Sequence, residues 1–457
     1  MLVVLLLGAF DWPQYLGDPG HSSVALDAGI TLAAAPKLVP KWRWALPAVS
    51  GRPHQILATP ATFHGRVFVA ATSGYFYALN ESTGKQLWQR DFGVEPAKTC
   101  PDAEGIIASP AVRDDGHGNP LVYVYPPDGY LYELDGRTGK TMWRSLVQIA
   151  SPTANDVYPW SSPQLYGGRV YVGISSNCDV PFTRGAVKSY DQATGKPIAT
   201  GWMMPPGYAG SGVWTSPAVS ADGLYVTTGS TYANTQVSHP PTVKNTFNQY
   251  SIVKLNPVTL AQTGKWPAPP TTLGDPDFAS SPVLFSATIG GKQVPMVGAC
   301  QKTGQFFALR RDTMKLVWEY QVGQGSEEGQ TACDSGGVWD GHRLFVGGDG
   351  TTIGSTTYAG SVRQLDPASG KAIWQTGLSA TPLGSGTING ASPPILAYAG
   401  TDWTAATGNF VYLINPATGH MVNELYDYGQ SAEFAQPVWV DGKLLMTNVN
   451  AVLAWAP

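Results

Sequence analysis

The sequence predicts an all-β protein: an eight-bladed β-propeller of four-stranded blades, closed by pairing of an N-terminal strand with the C-terminal blade. Three observations carry this. Turn-forming residues are abundant while charge is scarce, one strand–turn–strand motif recurs seven times, and the two ends of the chain hold complementary parts of an incomplete eighth copy.

Of 457 residues, 53 are Gly and 37 are Pro, and charged residues make up 13%, about half the usual share. Length alone suits two to four ordinary domains. However, 15 Trp and 21 Tyr exclude a disordered low-complexity chain, and short strands between frequent turns favour one large all-β body. A net charge of -4 leaves no electrostatic footprint for nucleic acid, and no Lys/Arg-rich run suits an anionic membrane surface. Residues 1–10 are apolar but too few to span a bilayer, so no membrane-spanning segment is expected. They read as a signal remnant or a mis-assigned start, since a basic beginning and a clear small-residue cleavage site are missing. Residues 11–457 read as a single propeller domain.

The repeat is visible on self-comparison. YALNESTGKQLW ends at Trp88, YELDGRTGKTMW at Trp143 and KSYDQATGKPI at Ile198. VKLNPVTL, FALRRDTMKLVW, RQLDPASGKAIW and YLINPATGHMV follow, ending at Leu260, Trp318, Trp374 and Val422. Asn or Asp starts each turn by bonding its own backbone, and Gly supplies the positive φ that re-enters the next strand. A second marker, a small residue before Pro, precedes these units at Thr59-Pro60, Ser109-Pro110, Ser162-Pro163, Ser216-Pro217, Ser281-Pro282 and Ser392-Pro393. Gln436-Pro437 fits the series and Ser335-Gly-Gly replaces it once. Between the markers lies another strand, such as RVFVAAT from Arg66, so the unit is four strands, A to D, in about 50 to 60 residues: a propeller blade.

Eight A-strand markers face only seven complete turns. The last unit stops after strand C, and KWRWALP from Lys41 resembles the Trp-bearing D strands. Pairing the ends closes the ring and removes two exposed sheet edges.

Loop lengths separate the two faces. A-to-B and C-to-D connections are mostly short. Several B-to-C and blade-to-blade connections are long, at 92–108, 147–158, 229–249, 267–279 and 322–333, and open on one face, where function is expected. Cys100, Cys178, Cys300 and Cys333 fall in or beside these loops. They lack metal-ligand spacing, and an even count in an export-like chain suits disulfides, with three connectivities open. Cys300 and Cys333 end one B strand and precede the next A strand on the same face, so that pairing is expected, leaving Cys100 with Cys178.

On that face Trp160 and Trp214 occupy the same point of successive blades, suited to flooring a pocket for a planar ligand or to packing under the loops. Asp275 and Asp277, one residue apart, suit calcium ligation or a general base, or turn capping. Lys302 suits an electron-rich oxygen, or plain solvation.

The D-x-x-T-G-K-x-x-W repeat resembles that of quinoprotein alcohol dehydrogenases and their non-catalytic relatives. DWPQYLGDPGHSS from Asp11 is similar to how such chains begin. GSGVWTSP up to Pro217, GDPDFASSPVLF from Gly274 and QKTGQFFAL from Gln301 resemble the polyvinyl alcohol dehydrogenase branch. The resemblance implies pyrroloquinoline quinone and calcium as cofactors. It puts the indole under the quinone at Trp214 and the catalytic carboxylates at Asp275 and Asp277, with Asp277 the base and a metal ligand. It puts the residue bonding the quinone oxygens at Lys302. Trp160 and Arg184 join the cofactor-binding set; Ser230 and Asp179 complete the metal set.

The chain departs from that pattern. Thr228-Gly229-Ser230 stands where the family has an Asn calcium ligand, the expected Glu ligand before Arg184 is matched only loosely by Asp179, and Trp160 takes a small hydroxyl position. The family's neighbouring-cysteine ring and CxxCH are absent, so no c-type haem is expected. Two function classes follow: a secreted or periplasmic quinone-dependent oxidoreductase acting on a small-molecule alcohol, or a non-catalytic extracytoplasmic propeller binding a protein or glycan partner.

Overall fold

The computed structural model describes residues 11–230, 247–271, 275–324, 332–401, 409–427 and 435–457. Residues 1–10 and most of the 229–249 loop therefore lie outside the described residues. Eight four-stranded antiparallel sheets form the blades, seven of them, blades 1 to 7, at residues 61–91, 111–146, 164–202, 218–267, 283–321, 338–378 and 387–427. Blade 8 combines residues 438–456 with Val39–Ala45 as its outer strand, which pairs antiparallel with the last strand, Ala451–Ala456. The expected closure is present.

The inner strands are buried on both faces, as Arg66–Ala70 and Tyr75–Asn80 show, whereas outer strands such as Gln86–Asp91 alternate towards solvent. The core lies between neighbouring blades: Phe68, Phe76 and Ala78 of blade 1 pack with Val122, Val124 and Leu134 of blade 2. Each blade thus needs its neighbours to bury its faces.

Both sequence markers hold blades together. At five seams the indole of a D-strand Trp lies on the turn glycine of the next blade, Trp143 on Gly195 among them. Trp42 covers Gly84, Trp88 Gly139, Trp318 Gly370 and Trp374 Gly419, so a Cβ at any of these glycines would strike the ring. The indole N–H groups donate to the same turns, Trp42 to Glu81 O at 2.8 Å and Trp88 to Gly136 O at 3.0 Å. Two turns carry Leu260 and Met314 in place of Gly, at φ 56 and 52. There the volumes are exchanged: Met314 lies over Gly264 of the preceding D strand, and Leu260 meets Gly201.

The small hydroxyl residues form a girdle around the axis. The backbone N–H of Thr59 donates to Ser109 Oγ, Ser109 to Ser162, Ser162 to Ser216, Ser216 to Ser281, Gly336 to Ser385 and Gln436 to Thr59, all at 2.8–3.0 Å. Ser392-Pro393, expected before a strand A, does not hold that position. It lies between strand A (Thr387–Ile388) and strand B (Leu396–Gly400) of blade 7, and Ser385 holds the girdle position. Gly386, not Pro, follows Ser385 because the Tyr398 ring occupies the space where a Cβ would stand.

The segment from Trp12 plugs the axis. Its oxygens accept the N–H of one A-strand residue from blades 1 to 7 in turn: Trp12 O from Thr62, Pro13 O from Val112, Gln14 Oε1 from Leu165, Pro19 O from Val219, Gly20 O from Leu284, Ser22 O from Trp339 and Ser23 O from Ile388. Asp27 Oδ2 accepts from Gly442 beside blade 8 at 2.9 Å. Inner strand edges otherwise left with bare donors are thereby satisfied. Trp12, 1% exposed, anchors the plug, and Trp12→Ala is expected to cost about 3–5 kcal/mol, read as a lower denaturant midpoint.

Candidate functional site

The long-loop face holds a cavity of about 300 Å³ lined by Trp160, Ser175, Ser176, Asn177, Cys178, Asp179, Gly212, Trp214, Gly229, Ser230, Asp275, Asp277, Lys302 and Asp334. The structure therefore brings together Trp160, Trp214, Asp275, Asp277, Lys302, Ser230 and Asp179 among the residues singled out above. Arg184 is not among the lining residues: its guanidinium stacks on Trp202 at 4.0 Å and its Nε donates to Met204 O at 2.7 Å.

Each wall has a local cause. Trp214 stands just before strand A of blade 4, held by Val213, whose N–H donates to Ile174 O at 3.0 Å. Trp160 stands at the corresponding point before blade 3, and the two indoles meet edge to face at 6.4 Å. Asp275 and Asp277 lie on the strap leading into blade 5. That strap is tied to the turn carrying Lys302, whose N–H donates to Asp277 O at 2.9 Å, while Gln301 Nε2 donates to Pro276 O at 2.7 Å. Gly229 is required opposite them, because a Cβ there would collide with the Asp277 carboxylate.

The two carboxylates differ sharply. Asp275 is 39% exposed in its side chain and accepts from Lys302 Nζ at 2.5 Å. Asp277 is 5% exposed, and its Oδ1 is buried with no hydrogen-bond partner among the described residues. Burial pushes the Asp277 carboxyl well above the usual carboxylate range; Lys302 opposes this, and the charges of Asp275 and Asp179 add to it. Burial works against the Lys302 ammonium, but the Asp277 and Asp275 charges outweigh it and raise its pKa. Burial also raises Asp179, against the hydrogen bond from Ser176 at 2.6 Å. Lys302 Nζ stands 5.6 Å from the Trp214 ring, so the cavity combines a flat aromatic surface, a cation above it and a buried carboxylate.

Both disulfides clamp this face. Cys300–Cys333 ties the end of strand B in blade 5 to the entry of blade 6, as expected, and Cys100–Cys178 is the second bridge. Such bonds belong to an oxidising compartment. Sequence reasoning missed Asp334, Asn177 and Cys178 as lining residues. Asp334 had one signal, its place between Cys333 and the exceptional Ser335-Gly-Gly marker.

For a tricyclic quinone the cavity volume, the indoles and the orphaned Asp277 oxygen fit. For a metal the protein donors are incomplete: among the described residues no three His, Cys, Asp or Glu side chains gather closely enough to hold an ion. Calcium takes six to eight oxygens, so Asp277, Ser230 and Asp179 would need help from the cofactor's own oxygens. No described helix is long and apolar enough to cross a membrane.

A polyvinylalcohol dehydrogenase from Pseudomonas sp is 27% identical over 70% of this chain and 52% of its own length. Quinohemoprotein alcohol dehydrogenase ADH IIB from Pseudomonas putida is 27% identical over 58% of this chain and 41% of its own. The chain thus spans about half the length of the curated relatives it matches. The structure of quinohemoprotein alcohol dehydrogenase from Comamonas testosteroni superposes with a TM-score of 0.76 at 17% identity, covering 98% of this chain and 80% of that one. A europium-containing methanol dehydrogenase superposes at 0.74 with 14% identity, covering 98% of each chain. Residues 12–335 match the family model for the β-propeller domain of glucose/ethanol/alcohol dehydrogenases that carries the PQQ name, more than half the chain, and the protein belongs to that family.

Proposed function

We propose that the chain is a quinone-dependent oxidoreductase that oxidises an alcohol in the cavity of the long-loop face, outside the cytoplasm. The observation that carries this is the convergence, in one cavity, of Trp214, the Asp275/Asp277 pair and Lys302. When bound, pyrroloquinoline quinone supplies the two-electron acceptor and a metal ion polarises it. Trp214 offers the ring a flat apolar face, and Trp160 stands edge to face beside it. Lys302 donates from Nζ to a ring oxygen, and Asp275 holds that ammonium in place. Asp277 accepts the alcohol proton, and its raised pKa brings it closer to the working pH of a general base. Asp277, Ser230 and Asp179 are the side chains available to the ion.

Titrating quinone with calcium, or a lanthanide in parallel, into metal-free protein should quench tryptophan fluorescence saturably and permit dye reduction by an alcohol. Trp214→Ala should weaken quinone binding about two- to thirteenfold, the roughly 0.5–1.5 kcal/mol of an aromatic pair. Ser230→Asn, which places an amide oxygen where the hydroxyl now bonds Tyr250 at 2.9 Å, should tighten calcium. If millimolar calcium gives no saturable quinone binding and Ser230→Asn does not restore it, the enzyme reading fails and the face is better read as a partner-binding surface.

A further inference from the structure

We propose that a cleft between blades 5 and 6, on the short-turn face opposite the quinone cavity, is a binding site for a neutral sugar ring. This goes beyond the oxidoreductase reading and does not rest on it. The cleft has a volume of about 240 Å³, and Ser286, Thr288, Gln293, Trp339, His342 and Asp366 are among its lining residues. It exists because one hairpin overshoots. Strand A of blade 5, Val283–Ile289, has seven residues, whereas the A strands of the other blades have two to four. The girdle and plug bonds of this blade fall at Ser281 and Leu284, so the added pairs, from Ser286 with Pro295 to Ile289 with Lys292, serve neither. They form one wall of the cleft, and the two short turns of blade 6, at residues 340–343 and 366–371, form the other.

The lining combines one aromatic side chain with open polar groups. Trp339 is half-buried and braced by Phe285, with ring centroids 5.8 Å apart, and its indole N–H has no acceptor among the described residues. Asp366 caps its turn through Oδ1 alone, which accepts from the N–H groups of Ala368 and Ser369 and from Ser369 Oγ. Its Oδ2 has no partner among the described residues, and neither has either ring nitrogen of His342. Gln293 Nε2 donates to Thr288 Oγ1 at 2.9 Å, which leaves the amide oxygen open. Both turns are fixed without a ligand: Asp340 Oδ1 accepts the N–H groups of His342 and Arg343 at 3.0 and 2.7 Å, and Trp318 Nε1 donates to Pro367 O at 2.9 Å. A wall ordered beforehand lowers the entropy lost on binding.

The chemistry of the lining selects the ligand class. No Lys or Arg lines the cleft, so a phosphate or carboxylate would meet the Asp366 charge with nothing to offset it. Among the described residues no three His, Cys, Asp or Glu side chains gather to hold a metal ion. An apolar ligand would strip water from the open polar groups without replacing its hydrogen bonds. A pyranose ring has C–H groups on its faces, which suit the indole, and hydroxyls around its edge, which both donate and accept. The volume lies below the roughly 300–1,000 Å³ of sites for drug-sized ligands, which suits one ring rather than a chain of them.

The test is saturation-transfer NMR on the full chain with the methyl glycosides of glucose, galactose, mannose and N-acetylglucosamine. At least one should bind saturably, with a dissociation constant of about 1–10 mM. Trp339→Ala should weaken that binding about tenfold, whereas Trp214→Ala, in the quinone cavity, should leave it unchanged. Asp366→Asn keeps the turn, because Asn80, Asn256 and Asn415 cap equivalent turns through Oδ1, but it exchanges the open acceptor for amide donors. It should also cost about tenfold, and it decides the matter if Trp339→Ala does not fold. Saturation by none of the four glycosides up to about 100 mM overturns the inference. So does binding that survives both cleft variants, and so does binding lost in Trp214→Ala, which would put the sugar in the quinone cavity.

Discussion

Deleting residues 36–47 is expected to give aggregation or a large fall in melting temperature, because blade 8 loses its outer strand. Val39–Ala45 pairs along its length with Ala451–Ala456, and its removal bares a hydrogen-bonding edge next to Leu453 and Trp455, which are 4% and 7% exposed. A bare apolar edge invites pairing with another chain. The deletion also removes Trp42, which lies on Gly84 and donates to Glu81 O of blade 1, and Trp44, which packs edge to face on Tyr77 at 4.8 Å. The seam between blades 8 and 1 would lose both its outer sheet and its indole contact. Trp42→Ala isolates the second loss. Its expected cost is about 3 kcal/mol, the low end for a buried Trp because this one is half-buried. Unchanged stability and unchanged size for the deletion, by calorimetry and light scattering, would refute the closure as a source of stability.

The ring was legible because its information is local and repeated. A turn begun by Asn80, Asp191 or Asp366 bonds its own backbone, with Thr83, Thr194 and Ser369 N–H donating to the side chain at 2.8–2.9 Å, and that chemistry needs no knowledge of the rest of the chain. Ser392-Pro393 shows the limit of local reading. A Ser-Pro pair looks alike in a girdle position and in a connection, and only the neighbouring blade's N–H distinguishes them. The missing turn glycines at Leu260 and Met314 are explained by partners some 50 residues away, Gly201 and Gly264. The site divides in the same way. Trp214, Asp275, Asp277 and Lys302 sit in short recognisable segments, whereas Asn177 and Cys178 are held at the cavity by a bridge that spans 78 residues and by the N–H of Asn177 donating to Asn155 O. The plug was recognisable as a segment but not as a plug, since its partners are spread around all eight blades.

Asp277→Asn should reduce alcohol-dependent dye reduction by about 10²–10⁴-fold, the usual contribution of a general base, while quinone binding by fluorescence stays largely intact. The substitution keeps volume and shape, so the packing of Trp214 and the Lys302–Asp275 ion pair are kept, while the proton acceptor and one negative charge near Lys302 go. Stability gives an independent reading of the same carboxyl. Its folded pKa lies well above the ordinary 3.8 because of burial. The folded state therefore holds this proton more tightly than the unfolded chain does, and folding loses free energy as pH rises from the ordinary value through the folded one. Above that window the penalty is complete; below it there is none. Asn carries no such penalty. The melting-temperature difference in metal-free protein should therefore move in favour of Asp277→Asn as pH rises above the ordinary carboxylate range. A variant with turnover within tenfold of wild type would remove Asp277 from the base position. A melting-temperature difference that stays flat with pH would show that this carboxyl is not held above its ordinary range.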